Sequence, residues 1–295
     1  MADLRMRIPG RQLLLAAALG TAAAGCASTR PEAVDLPLRD VGACHGEHPA
    51  PAGGIDLAIT LDVSQSARRP SGLDLDGDGR VGTFVDGGTS DPLDSRLAAQ
   101  VAAVRTLVDA LADADLRVAI VTMRGRTDSP TEGRETPLVN WQQGRIRTGL
   151  TDDAARVERA LDAAIAERGQ GRTDFSAGLR LAVRALVEGP EAEPPRRRAV
   201  FLLSDSADPI VDVAYPLNHP RLLSGGVQRM DHTMREAARD AIDAGAPVHT
   251  FGIGLPPTQE PNALTRIAGA TGGRYHAVED PGRLHCHLIA ALAAR

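Results

Sequence analysis

Three oxygen-bearing side chains stand on alternate positions in ITLDVSQS (59–66): Asp62, Ser64 and Ser66, after an apolar run that climbs to Leu61. Thr173 and Asp174 sit in GQGRTDFSAG (169–178), and Asp205 sits in SDS after another apolar run. Each residue alone has an ordinary explanation, because Asp and Ser favour turns and Thr caps helices. Together they offer hydroxyls and carboxylates without His or Cys, a hard-oxygen set suited to Mg2+, Mn2+ or Ca2+ rather than zinc. Hydroxyl ligands are neutral and leave much of an ion's charge uncompensated. An ion held that way attracts an anionic oxygen from outside the chain.

A second acidic stretch, DLDGDGRVGTFVD, occupies residues 74–86. Asp74, Asp76 and Asp78 stand at positions one, three and five of an EF-hand-like loop, with Gly79 at the turn and Arg80 offering its backbone carbonyl. Val85 falls where an EF-hand has its Glu; Asp86 comes one residue late, and Asp91 or Asp94 could reach back. No helix leads into the stretch, so it resembles the calcium loops of extracellular modules more than an EF-hand. Catalysis has less support. His219, His232 and His249 are scattered outside any motif, and no nucleophile–base pair accompanies the hydroxyls. A metal-bound water could hydrolyse a substrate, but Asp62 and Asp205 would already be committed to the metal. The expectation is a binding protein and not an enzyme, with a structural, metal-stabilised surface protein as the alternative.

These residues need a scaffold that brings distant loops together. Apolar strands read at 55–61, 116–123, 198–204, 247–254 and 273–278. Between and after them lie stretches of helical periodicity at 94–114, 152–168, 174–189, 231–245, 261–272 and 281–295. Asp94, Ser95 and Asp152 mark helix starts and Gly245 a helix end. The alternation predicts an α/β fold, a doubly wound, mostly parallel sheet flanked by helices. Ligands in such folds bind beyond the carboxyl ends of the strands, where Asp62, Thr173 and Asp205 are expected. Aromatic residues are only 2% of the chain, so the core must be built from Leu, Val, Ile and Ala, and base stacking is disfavoured. A net charge of −5 gives no electrostatic footprint for nucleic acid. The segment 124–145 lies on the same rim, and its Trp141 is expected to be an interface anchor or a cap on the core.

The D-x-S-x-S stretch after the first strand, the Thr heading a later helix and the Asp after the next strand resemble the von Willebrand factor type A domain and its metal-ion-dependent adhesion site. The resemblance spans residues 53–295. It implies that Ser64, Ser66 and Thr173 coordinate Mg2+ or Mn2+ directly, that Asp62 and Asp205 hold it through water or at longer range, and that a partner protein's carboxylate fills the open position. Ser206 stands where the family often has Gly. Residues 67–93, which carry the acidic loop, form an insertion where the family usually passes almost directly into the first helix.

The amino-terminal segment reads as an export signal. Arg5, Arg7 and Arg11 precede the short apolar run LLLAAALGTAAA (13–24), and AAGC ends at Cys26. The run is shorter than the ~20 residues needed to span a bilayer, so a cleaved signal is expected. It resembles a bacterial lipoprotein signal with Cys26 as the acylated residue, although Ala23 stands where that family more often has Leu. Residues 27–52 would then be a tether, and Ala27 after the cysteine implies the outer membrane. Cys44 and Cys286 are expected to pair in an oxidising compartment. The alternative is a zinc or copper cluster with His45, His48, His285 and His287.

Overall fold

The apolar runs form one sheet because their side chains are covered on both faces. β1 (Ile55–Asp62) is buried at every position, as a central parallel strand requires. The computed structural model describes Cys44 and residues 53–124, 144–167, 173–206, 227–255 and 262–293, of which 227–233 only as backbone. All of them belong to one compact unit, Asp35–Arg295.

In chain order, β1 is followed by a small hairpin, β2 (Phe84–Val85) and β3 (Gly88–Thr89). The other strands are β4 (Leu116–Met123), β5 (Gly144–Thr151), β6 (Arg197–Ser204), β7 (Val248–Ile253) and β8 (Tyr275–Val278). The main sheet has the order β5-β4-β1-β6-β7-β8. β5 runs antiparallel to β4, and every other pairing is parallel. Helices α1 (Arg96–Ala110), α2 (Ala154–Ile165) and α6 (Leu284–Ala293) cover one face, where Leu57, Ile59 and Leu61 of β1 point. Helices α3 (Phe175–Val187), α4 (Val227–Asp243) and α5 (Ala263–Thr271) cover the other, against Ala58, Val200 and Leu202.

The second face is built for close approach. A Cβ on Gly178 of α3 would stand 2.8 Å from Met123 Cβ and 2.9 Å from Thr60 Cγ2. Without that Cβ, the start of α3 settles onto the carboxyl end of β1. The helix starts are set by short polar side chains: Ser95 accepts from Ala98 N–H, Asp153 from Ala155 and Arg156 N–H, and Asp174 from Ala177 N–H. Asp153, not Asp152, caps α2, and Asp94 turns away from α1 into the acidic loop.

β5 differs from the expectation of a rim loop over 124–145. It takes in Gly144 and Arg145 and continues to Thr151, as an antiparallel edge strand with charged side chains interleaved. Trp141 and the rest of 125–143 lie outside the described residues. The hairpin was also not anticipated. Asp86, expected as a calcium ligand, occupies its turn with φ +46°, followed by Gly87 at +77°. Positive φ at both central residues is the geometry that two-residue hairpins favour.

Cys44 and Cys286 are joined by a disulfide, with Cα atoms 5.3 Å apart and a separation of 242 in sequence. The bond takes both thiols out of the alternative metal cluster, whose His45 and His48 are outside the described residues. Beneath α6, His276 stacks on Phe251 with ring centroids 4.8 Å apart, flanked by His249 at 6.0 Å and His287 at 6.3 Å. Burial, together with the charges of His249, His287 and Arg274, lowers the His276 pKa to about 4. No helix among the described residues is long and apolar enough to cross a membrane.

Candidate metal centre at the carboxyl ends of the strands

β1 delivers Asp62 to the rim as its last residue, fully buried. Gln100 of α1 fixes the strand end: its Oε1 accepts from Asp62 N–H at 3.0 Å and its Nε2 donates to Asp62 O at 3.4 Å. The chain then turns back on the carboxylate, because Ser64 N–H donates to Asp62 Oδ1 at 2.9 Å. A short 3-10 turn, Ser66–Arg68, follows. Ser64 and Ser66 share a hydrogen bond between hydroxyls at 3.0 Å.

The other loops close on this pair. Ser66 Oγ donates to Asp205 Oδ1 at 2.7 Å, and Thr173 Oγ1 donates to Asp62 Oδ2 at 3.3 Å. Asp62, Ser64, Ser66, Thr173 and Asp205 therefore form one connected set drawn from β1, the start of α3 and the end of β6. Three further residues join them. Ser204 Oγ donates to Asp62 Oδ2 at 2.5 Å, Ser206 Oγ shares a hydrogen bond with Thr173 Oγ1 at 3.1 Å, and Arg96 Nη1 pairs with Asp205 Oδ2 at 3.1 Å. Ser206 thus takes a place in the network where the family pattern has no side chain.

Arg96 and Gln100 were not anticipated from the sequence, yet they carried a signal. They are four residues apart on α1, hence on one face, and Gln100 is fully buried within the apolar run LAAQVAAV. A buried amide in such a run must have a partner, and here the partner is the backbone of Asp62.

The electrostatics match the donor chemistry. Burial, first, and then the charge of Asp205 raise the Asp62 pKa from 3.8 to about 7, against the hydrogen bonds from Ser204 and Ser64 that lower it. A fully buried carboxylate beside a second one calls for more positive charge. The surrounding donors are hydroxyl and carboxylate oxygens, so the residues fit a small hard cation such as Mg2+ or Mn2+. Bound there, such an ion would supply charge compensation and an acceptor for an outside oxygen.

The acidic insertion lies beside this rim. A Cβ on Gly87 would be 3.5 Å from Gln65 Nε2 and one on Gly88 3.3 Å from Arg68 Nη2, so the hairpin lies against the turn that carries Ser66. In the loop itself, Asp74 Oδ2 accepts from Gly79 N–H at 3.0 Å, Asp76 Oδ1 from Asp78 N–H at 3.1 Å and Asp78 Oδ1 from Arg80 N–H at 2.7 Å. The carboxylates of Asp74, Asp76 and Asp94 come within 4.8 Å of one another, as do those of Asp76, Asp78 and Asp91. Asp94 is fully buried and accepts from Leu75 and Gly82 N–H at 2.7 Å each. Asp91 and Asp94, rather than Asp86, reach back to the loop. The Asp78 N–H bond lowers the Asp76 pKa, but slight burial and the charges of Asp91, Asp78 and Asp94 leave it raised overall.

The profile of the von Willebrand factor type A domain matches residues 57–207, 151 of the 295. The chain belongs to the von Willebrand factor type A family. Solved structures of this fold include BatB from Bacteroides thetaiotaomicron, 18% identical at a TM-score of 0.50 over 81% of this chain and 98% of that one. The pilus adhesin SpaC from Lactobacillus rhamnosus GG is 15% identical at a TM-score of 0.50, over 82% of this chain and 30% of that one. A von Willebrand factor type A protein from Catenulispora acidiphila is 17% identical at a TM-score of 0.49, over 82% of this chain and 42% of that one. At these identities the likeness is one of fold. No match was found among curated proteins. As a von Willebrand factor type A domain, the chain falls in a family whose members generally mediate protein–protein interactions, often with a divalent metal.

Proposed function

We propose that the protein is a lipid-anchored component of the cell envelope whose von Willebrand factor type A domain grips a partner protein through Mg2+ or Mn2+. In this reading Ser64, Ser66 and Thr173 coordinate the ion, and Asp62 and Asp205 hold it through water or at longer range. The partner contributes a carboxylate. The observation that carries the reading is the convergence of these five oxygen-bearing side chains, from three separate segments, into one hydrogen-bonded set. Binding is favoured over catalysis because, among the described residues, neither the five nor the side chains bonded to them include a His or Cys.

The same reading gives calcium to the loop of Asp74, Asp76 and Asp78, with Asp91 and Asp94 completing the carboxylates. Calcium there would stiffen the insertion as part of the partner-binding surface. Val81, Phe84 and Val85 are exposed on it, Phe84 at 62%, and apolar side chains of this kind suit a binding rim. Cys26 would carry the lipid and residues 27–52 would act as the tether, with the outer membrane as the expected location.

Calorimetry with Mn2+ tests the centre: the wild type should bind, and Ser64→Ala and Asp62→Ala should bind at least tenfold more weakly. An envelope pull-down repeated with chelator tests the partner, which should be lost with EDTA and with Ser64→Ala. Equal Mn2+ binding by all three proteins would overturn the reading. For the anchor, Cys26→Ala should move the protein from the membrane fraction to the soluble one.

A further inference from the structure

Among the described residues, Asp62 and Asp205 are the two carboxylates of the centre, and a divalent ion carries two positive charges. With both carboxylates ionised, an ion among them leaves the centre neutral, and a neutral centre has little pull on a third carboxylate. Arg96 alters that balance. Its guanidinium pairs with Asp205 Oδ2 at 3.1 Å, where the Asp205 side chain is 0% exposed and that of Arg96 22%.

The placement of Arg96 runs against the preference of its own helix. It is the first residue of α1, where the unpaired N–H groups make a positive pole and disfavour a cation. The cation is nevertheless held there by several features. Arg96 N–H donates to Arg69 O at 2.9 Å, and Ser95 caps the helix behind it. Its side chain passes over Gly254, where a Cβ would stand 3.5 Å from the guanidinium carbon. The backbone of Gly254 has φ +64°, in the left-handed region that favours glycine.

We infer that Arg96 is the specificity-determining cation of the centre: it offsets Asp205 in the metal-free protein and supplies the net positive charge that selects a carboxylate once an ion is bound. The inference rests on the metal reading above. Two consequences follow from Coulomb's law. A fixed like charge beside the centre weakens affinity for the bare ion, and an added carboxylate restores it, so the ion and the carboxylate bind cooperatively.

The experiment is Mn2+ calorimetry on wild type, Arg96→Gln and Arg96→Lys, each in sodium chloride and in sodium acetate at equal ionic strength, with melting curves to verify folding. Arg96→Gln should bind Mn2+ about tenfold more tightly than wild type in chloride, an order of magnitude for one like charge at a partly exposed site. Arg96→Lys should stay close to wild type. Acetate should tighten Mn2+ binding to the wild type and to Arg96→Lys but not to Arg96→Gln. Equal or weaker binding by Arg96→Gln would overturn the inference while leaving the metal reading intact, and so would a wild-type affinity indifferent to acetate. A wild type that binds no Mn2+ would overturn both.

Discussion

Asp62→Asn removes a charge from the interior and keeps the shape of the side chain. The Asp62 pKa is raised from 3.8 to about 7 by burial and by Asp205, so the folded protein holds this proton more tightly than the unfolded chain does. The stability that the proton confers is complete below about pH 4 and is lost as the pH rises through 7. A difference of about 3 units corresponds to a ceiling of ~4 kcal/mol in the metal-free protein at pH 8.5. Asn keeps an acceptor for Ser64 N–H, but its amide meets the Ser204 and Thr173 hydroxyls, which must reorient to accept, at a cost of about 1 kcal/mol. The variant should therefore be more stable by ~2–3 kcal/mol, or about 5–10 °C in Tm for a domain of this size. At pH 5.0 the wild-type carboxyl is largely protonated, and the gap should shrink to about 1 kcal/mol or less. Scanning calorimetry with chelator at both pH values measures this difference, and groups that titrate in both proteins, such as His276, cancel. With Mn2+ at about a hundred times its Kd, the wild type should gain ~2.7 kcal/mol and close the gap. Equal melting temperatures at pH 8.5, or a gap that ignores pH, would show that Asp62 carries no such electrostatic burden.

Three other outcomes are expected. Gly178→Ala puts a Cβ 2.8 Å from Met123; it should cost ~1–3 kcal/mol in denaturant unfolding through overpacking, and by lifting Thr173 off Asp62 it should weaken Mn2+ binding several-fold. Reduction, or Cys44→Ser, opens the covalent span of 242 positions and should lower stability by about 2–5 kcal/mol, measured by chemical denaturation with and without reductant. His276 has its pKa lowered from 6.5 to about 4, so the stability of its neutral form is present above pH 6.5 and lost as pH falls toward 4. After allowance for its partial exposure this amounts to about 2 kcal/mol, and His276→Phe should flatten the acid limb of a pH–stability curve.

The strand–helix alternation was legible because parallel strands buried on both faces read as unbroken apolar runs, as in IDLAITL and RAVFLLS. β5 was hidden for the opposite reason. In GRIRTGLT one face meets the core while Arg145 and Arg147 alternate with it, so no apolar run forms. The five oxygen donors could be read because strand ends gather at one rim. Arg96, Gln100, Ser204 and Ser206 could not be assigned so directly, since their roles depend on which helix crosses which strand end. Counting along the loop points to Asp86 as a ligand, whereas the Asp-Gly pair at 86–87 signals the turn of a two-residue hairpin, where the structure has it.

The disulfide also determines where a mechanical load enters the molecule. Cys286 lies in the first turn of α6, shortly after the end of β8. In the oxidised protein, a pull applied upstream of Cys44 passes through that bond into α6 instead of travelling along the chain to β1. That route bypasses the amino end of β1, the central strand that presents Asp62, Ser64 and Ser66. A partner pulling on the metal centre would load β1 at its carboxyl end, where Asp62, Ser64 and Ser66 sit, while the opposing force enters through α6. With the disulfide reduced, the same pull would reach β1 at its amino end as well, so the strand would be loaded from both ends.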